Sequence, residues 1–343
     1  MKSSKIWIIF LSLFLVVGLL PSNPSVEAKT IELRLAHMFP VTAPASKYIE
    51  SWAEKIAKDS DGQLKIRIFP SNTLIIAPEM FDGVVKGAAD IGYAFRYKPK
   101  NYTIGVLFPF ILAAPDTVTA TKVYDDIWNK FPELMAEEWQ GVKLLWASSA
   151  MAQYLFSRKS VQSLEDFKGQ QIRVPSREMG EVVKGLGATP VFMSTADFVI
   201  GIEKGTVDGC IMMPAAISDY KIGDKLKYGV KGNFGIPTPV AVFMNEESFN
   251  KLPMELQIVI ERSTASGKAN EIKCWSDLAD DSMEYLKSAG LKFVQLSSDE
   301  KMELDNITEG VRNKIGKDLD KKGLPGTELI QFIRERVRFY ANQ

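Results

Sequence analysis

The chain holds one histidine, His37, in 343 residues, so a Ser-His-Asp relay or a histidine general base would have to be built on that single ring. It ends an alternating segment, where a histidine is more often a hydrogen-bonded or cleft-lining residue than a base. The motifs that usually carry catalysis are missing: no H-E-x-x-H, no C-x-x-C, no nucleophile elbow G-x-S-x-G and no phosphate loop G-x-x-x-x-G-K-[ST]. Gly185-Leu-Gly187 lacks the third glycine of a dinucleotide fingerprint, Pro190 standing in its place, and reads as a helix-ending turn. Paired carboxylates such as Asp280-Asp281 and Asp59 with Asp61 fall where solvated helix ends are expected. Arg173 has the chemistry for anion capture, because a planar guanidinium gives a carboxylate a bidentate, charge-assisted fork. By pattern alone, however, an arginine between Ile172 and Val174 on an alternating strand faces water. Cys210 and Cys274 are the only cysteines. One disulfide is open to them, geometry rather than spacing decides it, and free buried thiols suit a chain of this size better.

The elements that must position these residues follow from periodicity. Ile31-Glu-Leu-Arg-Leu35 and residues 64–69 alternate at period two and read as strands. From Pro44 onward Tyr48, Ile49, Trp52, Ala53 and Ile56 recur at helical spacing, with Gly62 where a stop is expected. Residues 78–86 and 118–131 read as helices, 90–94 and 142–146 as strands. The second half restarts the alternation. Ile172 and Val174 sit in a short strand, residues 178–186 form a helix before a turn at Gly187-Ala-Thr-Pro190, and residues 197–204 form another helix. An apolar strand at 210–213, a helix after Pro214 and a buried strand at 239–244 follow. From Pro253 to Leu286 runs one long helical pattern with Ile272, Trp275, Ala279, Met283 and Leu286 on one face. Strands interleaved with helices of this length predict an α/β layer architecture. No linker-like tract separates the halves, which suits two lobes joined by several short crossings and hinged around a ligand.

Composition narrows the function. The chain is 46% hydrophobic and 24% charged, ordinary for a globular protein of about two domains. Lys plus Arg and Asp plus Glu balance at 42 each, so no basic field is present to collect phosphates and nucleic acid is not an expected partner. At the start, Lys2 and Lys5 precede an uncharged run from Ile6 to Leu20, then a helix-breaking stretch and Val26-Glu27-Ala28. That is a secretory signal pattern with cleavage expected after Ala28. The apolar run is short of the roughly 20 residues a spanning helix needs. A protein exported to a periplasm is expected.

The segment Leu164-Glu-Asp-Phe-Lys-Gly-Gln-Gln-Ile-Arg-Val-Pro175, with Leu186-Gly-Ala-Thr-Pro190 and Glu203-Lys-Gly-Thr-Val-Asp-Gly209, resembles the substrate-binding proteins of tripartite ATP-independent periplasmic (TRAP) transporters, the DctP-like family. Leu33-Arg-Leu-Ala-His37, Gly87-Ala-Ala-Asp-Ile-Gly92 and Asn245 fall in register with it. The resemblance implies an α/β, two-lobed periplasmic solute-binding protein with a ligand cleft between the lobes and a long helix spanning both. It implies no catalysis, no cofactor and no metal. Lobe I is expected from residues 29–150 plus about 240–280, and lobe II from 151–239 plus about 281–343.

Arg173 falls on the arginine that pairs with the ligand carboxylate in that family. A second arginine of its sialic-acid branch aligns with Gln153. Asn233 and Phe234 match an Asn-His pair lining the cleft there, with Phe in place of His, and Asp208-Gly-Cys-Ile-Met-Met-Pro214 replaces polar groups by apolar ones. A greasier pocket is therefore expected, with Met193, Met213, Phe234, Phe39 and Phe95 as apolar walls and His37 and Asn233 as polar groups. Core packing is the competing reading for each Met and Phe. Arg96 either completes a clamp on a second acid group or faces water. The function this implies is a monomeric extracytoplasmic receptor for a small organic anion, a monocarboxylate with an apolar portion, delivered to a membrane permease pair. An exported enzyme acting on a small organic acid and a ligand-binding sensor accessory are the alternatives.

Overall fold

The structure, a computed structural model, describes residues 30–95, 114–232, 234–235 and 239–342. Residues 1–28, where an export signal is expected, Arg96 and Asn233 lie outside the described residues. The chain builds β1 (Ile31–His37), α1 (Pro44–Asp59), β2 (Leu64–Phe69), α2 (Met80–Val85), β3 (Ile91–Phe95), α3 (Thr117–Lys130), α4 (Pro132–Glu138) and β4 (Val142–Ser148). There follow β5 (Tyr154–Ser157), β6 (Gln171–Val174), α5 (Arg177–Gly185), β7 (Thr189–Phe192), α6 (Thr195–Lys204), β8 (Gly209–Met212), α7 (Pro214–Asp219) and β9 (Tyr228–Val230). The last elements are β10 (Val240–Asn245), α8 (Glu246–Asn250), α9 (Met254–Ser288), β11 (Lys292–Val294), α10 (Ser298–Asp320) and α11 (Gly326–Ala341).

Two sheets result. The first has the order β2-β1-β3-β10-β4 and the second β11-β9-β5-β8-β6-β7. Parallel β1, β2 and β3 meet an antiparallel β10, which lies between β3 and β4. In the second sheet β6 runs parallel to β7 and β8, while β5 is antiparallel to β8 and β9. The chain leaves the first sheet after β4, returns to it at β10 and leaves again along α9 to β11. Helix α9 packs on α1, α3 and β4 at the first sheet and on α7 at the second, as a helix spanning both lobes must.

Local chemistry explains most of these boundaries. Ser176, Ser194 and Ser297 cap α5, α6 and α10 by accepting the amide of the third residue on, each such cap being worth about 1 kcal/mol. Gly62 turns out of α1 and Gly187 out of α5 with positive φ, which costs glycine nothing. Gly209 is fixed by space instead, since a Cβ there would lie 2.0 Å from the Phe156 carbonyl oxygen.

The expected turn at Gly187-Pro190 is shorter than its sequence suggests. Thr189–Phe192 pairs in parallel with β6, Pro190 opposite Ile172, and Pro190 disguised the strand because proline is tolerated only where no ladder N–H is needed, as on this edge. Strands β5, β9 and β11, at three or four residues, are too short for alternation to register. Both cysteines are free, Cys210 buried and Cys274 partly so. No described helix is long and apolar enough to cross a membrane.

Candidate ligand-binding site

Arg173 projects from β6 beside Cys210 of β8 and is 7% exposed, contrary to the water-facing orientation its strand pattern suggests. Its Nε donates to the Met193 carbonyl at 3.2 Å, one terminal nitrogen to the Ile211 carbonyl at 3.3 Å and the other to Thr195 Oγ1 at 3.5 Å. All three acceptors are neutral. Among the described residues no carboxylate lies within ion-pair distance of the guanidinium. Burial draws its pKa below the usual arginine value, yet arginine stays protonated. The site is thus a desolvated, oriented cation lacking an anionic partner, and burying a charge that way is costly until an anion completes it. Burial also pushes the Cys210 thiol up to about 12, against the pull of Arg173. That thiol is an inert wall rather than a nucleophile.

The scaffold behind Arg173 is held by Asp208. Its carboxylate accepts the Gln171 amide at 3.0 Å and Lys159 Nζ at 2.9 Å, with Arg158 Nε at 3.4 Å. Burial opposes ionisation there, but these donors outweigh it and hold the pKa below the ordinary carboxylate value. The Asp208-Gly209 pair therefore ties β5, β6 and β8 together under the arginine.

Met193 supplies one of the acceptors of Arg173 and packs in a cluster with Phe156, Phe198 and Cys210. Met213, one residue past β8, is half-buried against a different cluster, the one that contains Phe39 and Phe95 of the first sheet. It bridges the two sheets. Gln153 is buried, its backbone amide donating to the Gly235 carbonyl at 3.0 Å. Phe234 is fully buried among Leu304, Val230 and Leu155, apart from the Phe39 and Phe95 cluster.

On the first sheet, register gathers the rest. His37 is opposite Tyr93, Tyr93 opposite Val242 and Val242 opposite Trp146, while Val240 stands opposite both Phe95 and Ser148. All lie on the face covered by α9, which presents Glu271 and Trp275 one turn apart. Phe39 packs on Tyr93 with centroids 4.9 Å apart, and Trp275 packs on Phe39 at 6.1 Å and on Phe95 at 6.0 Å. His37 is fully buried beside Phe39 and Tyr93. Burial lowers its pKa to about 4, only partly opposed by the Phe39 backbone, so the imidazole is neutral near pH 7. Glu271 is fully buried as well and accepts the Trp146 indole N–H at 2.8 Å. Burial pushes its carboxyl up to about 7, against the neighbouring Tyr93, Ser148, Trp146 and Trp275 donors.

Sequence reasoning brings His37, Phe39, Phe95 and Met213 to one place and misses Glu271, Tyr93, Ser148 and Trp275 as a polar group. A signal was present, since Glu271 interrupts a buried stripe that includes Ile260, Gly267 and Trp275. A charge on such a stripe calls for partners.

Comparison with known proteins fits this geometry. The family model described as bacterial extracellular solute-binding protein, family 7, matches residues 35–318. A marine metagenome TRAP solute-binding protein specific for aromatic acid ligands, solved with metahydroxyphenylacetate, has a TM-score of 0.79 at 22% identity, covering 90% of this chain and 99% of that one. A TRAP periplasmic solute-binding protein of Bordetella bronchiseptica, solved with (R)- and (S)-mandelate, has a TM-score of 0.75 at 21% identity, with 90% and 99% covered. A monocarboxylate 2-oxoacid-binding periplasmic protein of Nostoc sp. is 20% identical over 259 residues, 73% of this chain and 70% of the relative.

Proposed function

The chain belongs to the bacterial extracellular solute-binding proteins of family 7, and from that premise we propose that it is the receptor of a TRAP transporter for a small monocarboxylate with an apolar body. Residues 1–28 are its export signal, and it works as a monomer in the periplasm. The lobes comprise 29–150 with about 240–280 and 151–239 with about 281–343, closing on the ligand about their crossings.

The observation that carries this reading is the buried guanidinium of Arg173, saturated on one side by neutral oxygens and lacking an acid among the described residues. A ligand carboxylate supplies the missing charge. Met213, Phe39 and Phe95 then face its apolar body, with Met193, Gln153, Asn233 and Arg96 as further contacts and Phe234 packed in the core behind them rather than on the ligand, and binding shifts the lobes toward closure by its preference for the closed state. The enzyme alternative falls with the family assignment.

The test is a thermal-shift screen of residues 29–343, stripped of carried-over ligand by unfolding and refolding, against monocarboxylates, dicarboxylates, sulfonates and sugar acids. A ligand at a thousand times its Kd adds about 4 kcal/mol, a shift of several degrees. Stabilisation by monocarboxylates that vanishes in Arg173→Ala supports the reading. Stabilisation that survives in Arg173→Ala, or none from any anion, refutes it.

A further inference from the structure

We propose that the C-terminal helix α11 is a strap across the hinge, fixed to the second lobe and sliding on α3 of the first, and that Asp126, Arg336 and Tyr340 form the latch that sets how readily the lobes move. This deepens the closure step of the receptor reading and rests on its two lobes, not on which ligand Arg173 holds.

Three anchorages define the strap. Helix α3 belongs to the first lobe. It packs on β4, Thr121 Oγ1 accepts the Ser149 amide at 3.0 Å, Thr117 Oγ1 donates to the Ala150 carbonyl at 3.3 Å, and Asp125 pairs with Lys268 of α9. Helix α10 belongs to the second lobe. It packs on α5, Glu300 accepts the Leu164 amide at 2.9 Å, and a Cβ on Gly185 would stand 2.5 Å from the Ile307 side chain. Helix α11 packs on both α3 and α10. Any rotation of one lobe about the other must therefore move α11 against one of them.

The chemistry of the two contacts decides which one moves. Against α10 the backbones touch, since a Cβ on Gly326 would lie 2.2 Å from the Gly316 carbonyl oxygen and one on Gly316 would lie 2.9 Å from the Ile330 side chain. Glu309 of α10 pairs with the buried Arg312 and also with Arg334 of α11. Backbones interlocked in this way cannot slide without opening a void. Against α3 the contact is made by the ends of long side chains and by rings. Arg336 Nε donates to Asp126 Oδ2 at 2.5 Å, Tyr340 Oη donates to the same oxygen at 2.9 Å, and Arg336 donates to Tyr340 Oη at 2.9 Å. Lys130 pairs with Glu328 at 3.2 Å, Lys122 sits over the Tyr340 ring, and Phe131 meets Phe332 edge-on with centroids 5.8 Å apart. Such side chains can exchange partners while packed helices shear past one another. The hairpin of α10 and α11 stays whole and the α3 face gives way. The bonds to Asp126 favour the lobe arrangement of this structure, and a ligand that prefers another arrangement works against them.

Spin labels at Lys47→Cys on α1 and Lys204→Cys on α6, both exposed, report the lobe separation without ligand. The background is Cys274→Ser, which leaves only the buried Cys210. In double electron–electron resonance, Asp126→Asn should lower the population at the separation of this structure, relative to all others, by about threefold or more, the scale of a partly exposed ion pair. Tyr340→Phe should act in the same direction more weakly, and it carries the test if Asp126→Asn does not fold. Asp277→Asn, which breaks the surface pair with Lys273 of α9, should leave the parent distribution in place. A latch variant whose distances overlay the parent's overturns the strap. Calorimetric titration with phenylacetate, mandelate and pyruvate adds a second readout, because a changed population alters every Kd by one common factor. Unequal factors among the acids that bind overturn the latch, since they mark a ligand contact instead. If none of the three binds the parent, the receptor reading loses its support while the ligand-free distances still decide the strap.

Discussion

Trp146 of β4 donates its indole N–H to Glu271 of α9 at 2.8 Å, both side chains buried. The bond joins the edge of the first sheet to the helix that also packs on the second, and it is the one well-formed hydrogen bond recorded for that carboxyl among the described residues. Gly267, one turn earlier, lets the two approach, because a Cβ there would meet the Trp146 ring at 3.0 Å. A charge so placed makes stability depend on pH, and the buried His37, packed beside Phe39 and Tyr93, does the same with opposite sign.

For Glu271 the folded pKa, about 7, lies above the ordinary carboxyl value of 4.5. The native state then holds the proton longer than the unfolded chain, so stability falls as pH rises from about 4.5 to about 7, by about 3 kcal/mol. For His37 the folded pKa, about 4, lies below 6.5, so stability falls as pH drops through that window, again by about 3 kcal/mol. The two slopes oppose each other between pH 4.5 and 6.5. Denaturant titrations should show Glu271→Gln gaining stability with rising pH relative to the parent, and His37→Asn losing it. Parallel pH profiles for all three would refute the assignment.

Arg173→Ala should weaken binding of a monocarboxylate by about 2 to 5 kcal/mol, roughly 30-fold to a few thousandfold in Kd. Arg173→Lys keeps the charge but loses the fork held by Met193, Ile211 and Thr195, and should recover only part of the loss. Calorimetric Kd values for the three proteins check this, and an unchanged Kd in Arg173→Ala would sink it.

Gly209→Ala should destabilise strongly, because a Cβ 2.0 Å from the Phe156 carbonyl oxygen forces β5 and β8 apart. Overpacking of this kind costs about 1 to 3 kcal/mol or more, a fall in Tm of several degrees. A melting curve that overlays the parent's would contradict it.

Asp208→Asn keeps the shape but loses the charge that Lys159 and Arg158 share and weakens acceptance of the Gln171 amide. A hydrogen bond to a charged group is worth about 1.5 to 3 kcal/mol. Since the folded pKa of Asp208 is depressed, its contribution is present above the unfolded value of 3.8 and lost as pH falls through the folded one. The variant should be less stable than the parent at pH 6, with the gap narrowing in strong acid, as followed by chemical denaturation at both pH values. A gap that stays constant or widens in acid would speak against the mechanism.

Much of the fold was legible because periodicity reports local burial. The alternation over Leu64–Phe69 and the helical spacing after Pro253 give β2 and α9 to within about two residues, the usual scatter of element ends. Pro190 hid β7, and β5, β9 and β11 were too short to show a period. The motifs around Arg173 and Asp208 carried the family. Local pattern could not give the burial of Arg173, because β6 is flanked by β7 and β8 and closed in by the acceptors of Met193 and Ile211, which a strand read alone does not contain.

The sequence by itself determined an α/β chain without the usual catalytic motifs, carrying one arginine suited to a carboxylate, since residue type and spacing are properties of the chain. Tertiary structure alone decided which polar groups meet. His37, Tyr93, Ser148 and Glu271 come from three strands and one helix far apart in the sequence, and their meeting depends on strand register and on the path of α9 across the first sheet. Desolvation then moves the carboxyl and the imidazole in opposite directions, because burial disfavours whichever form is charged.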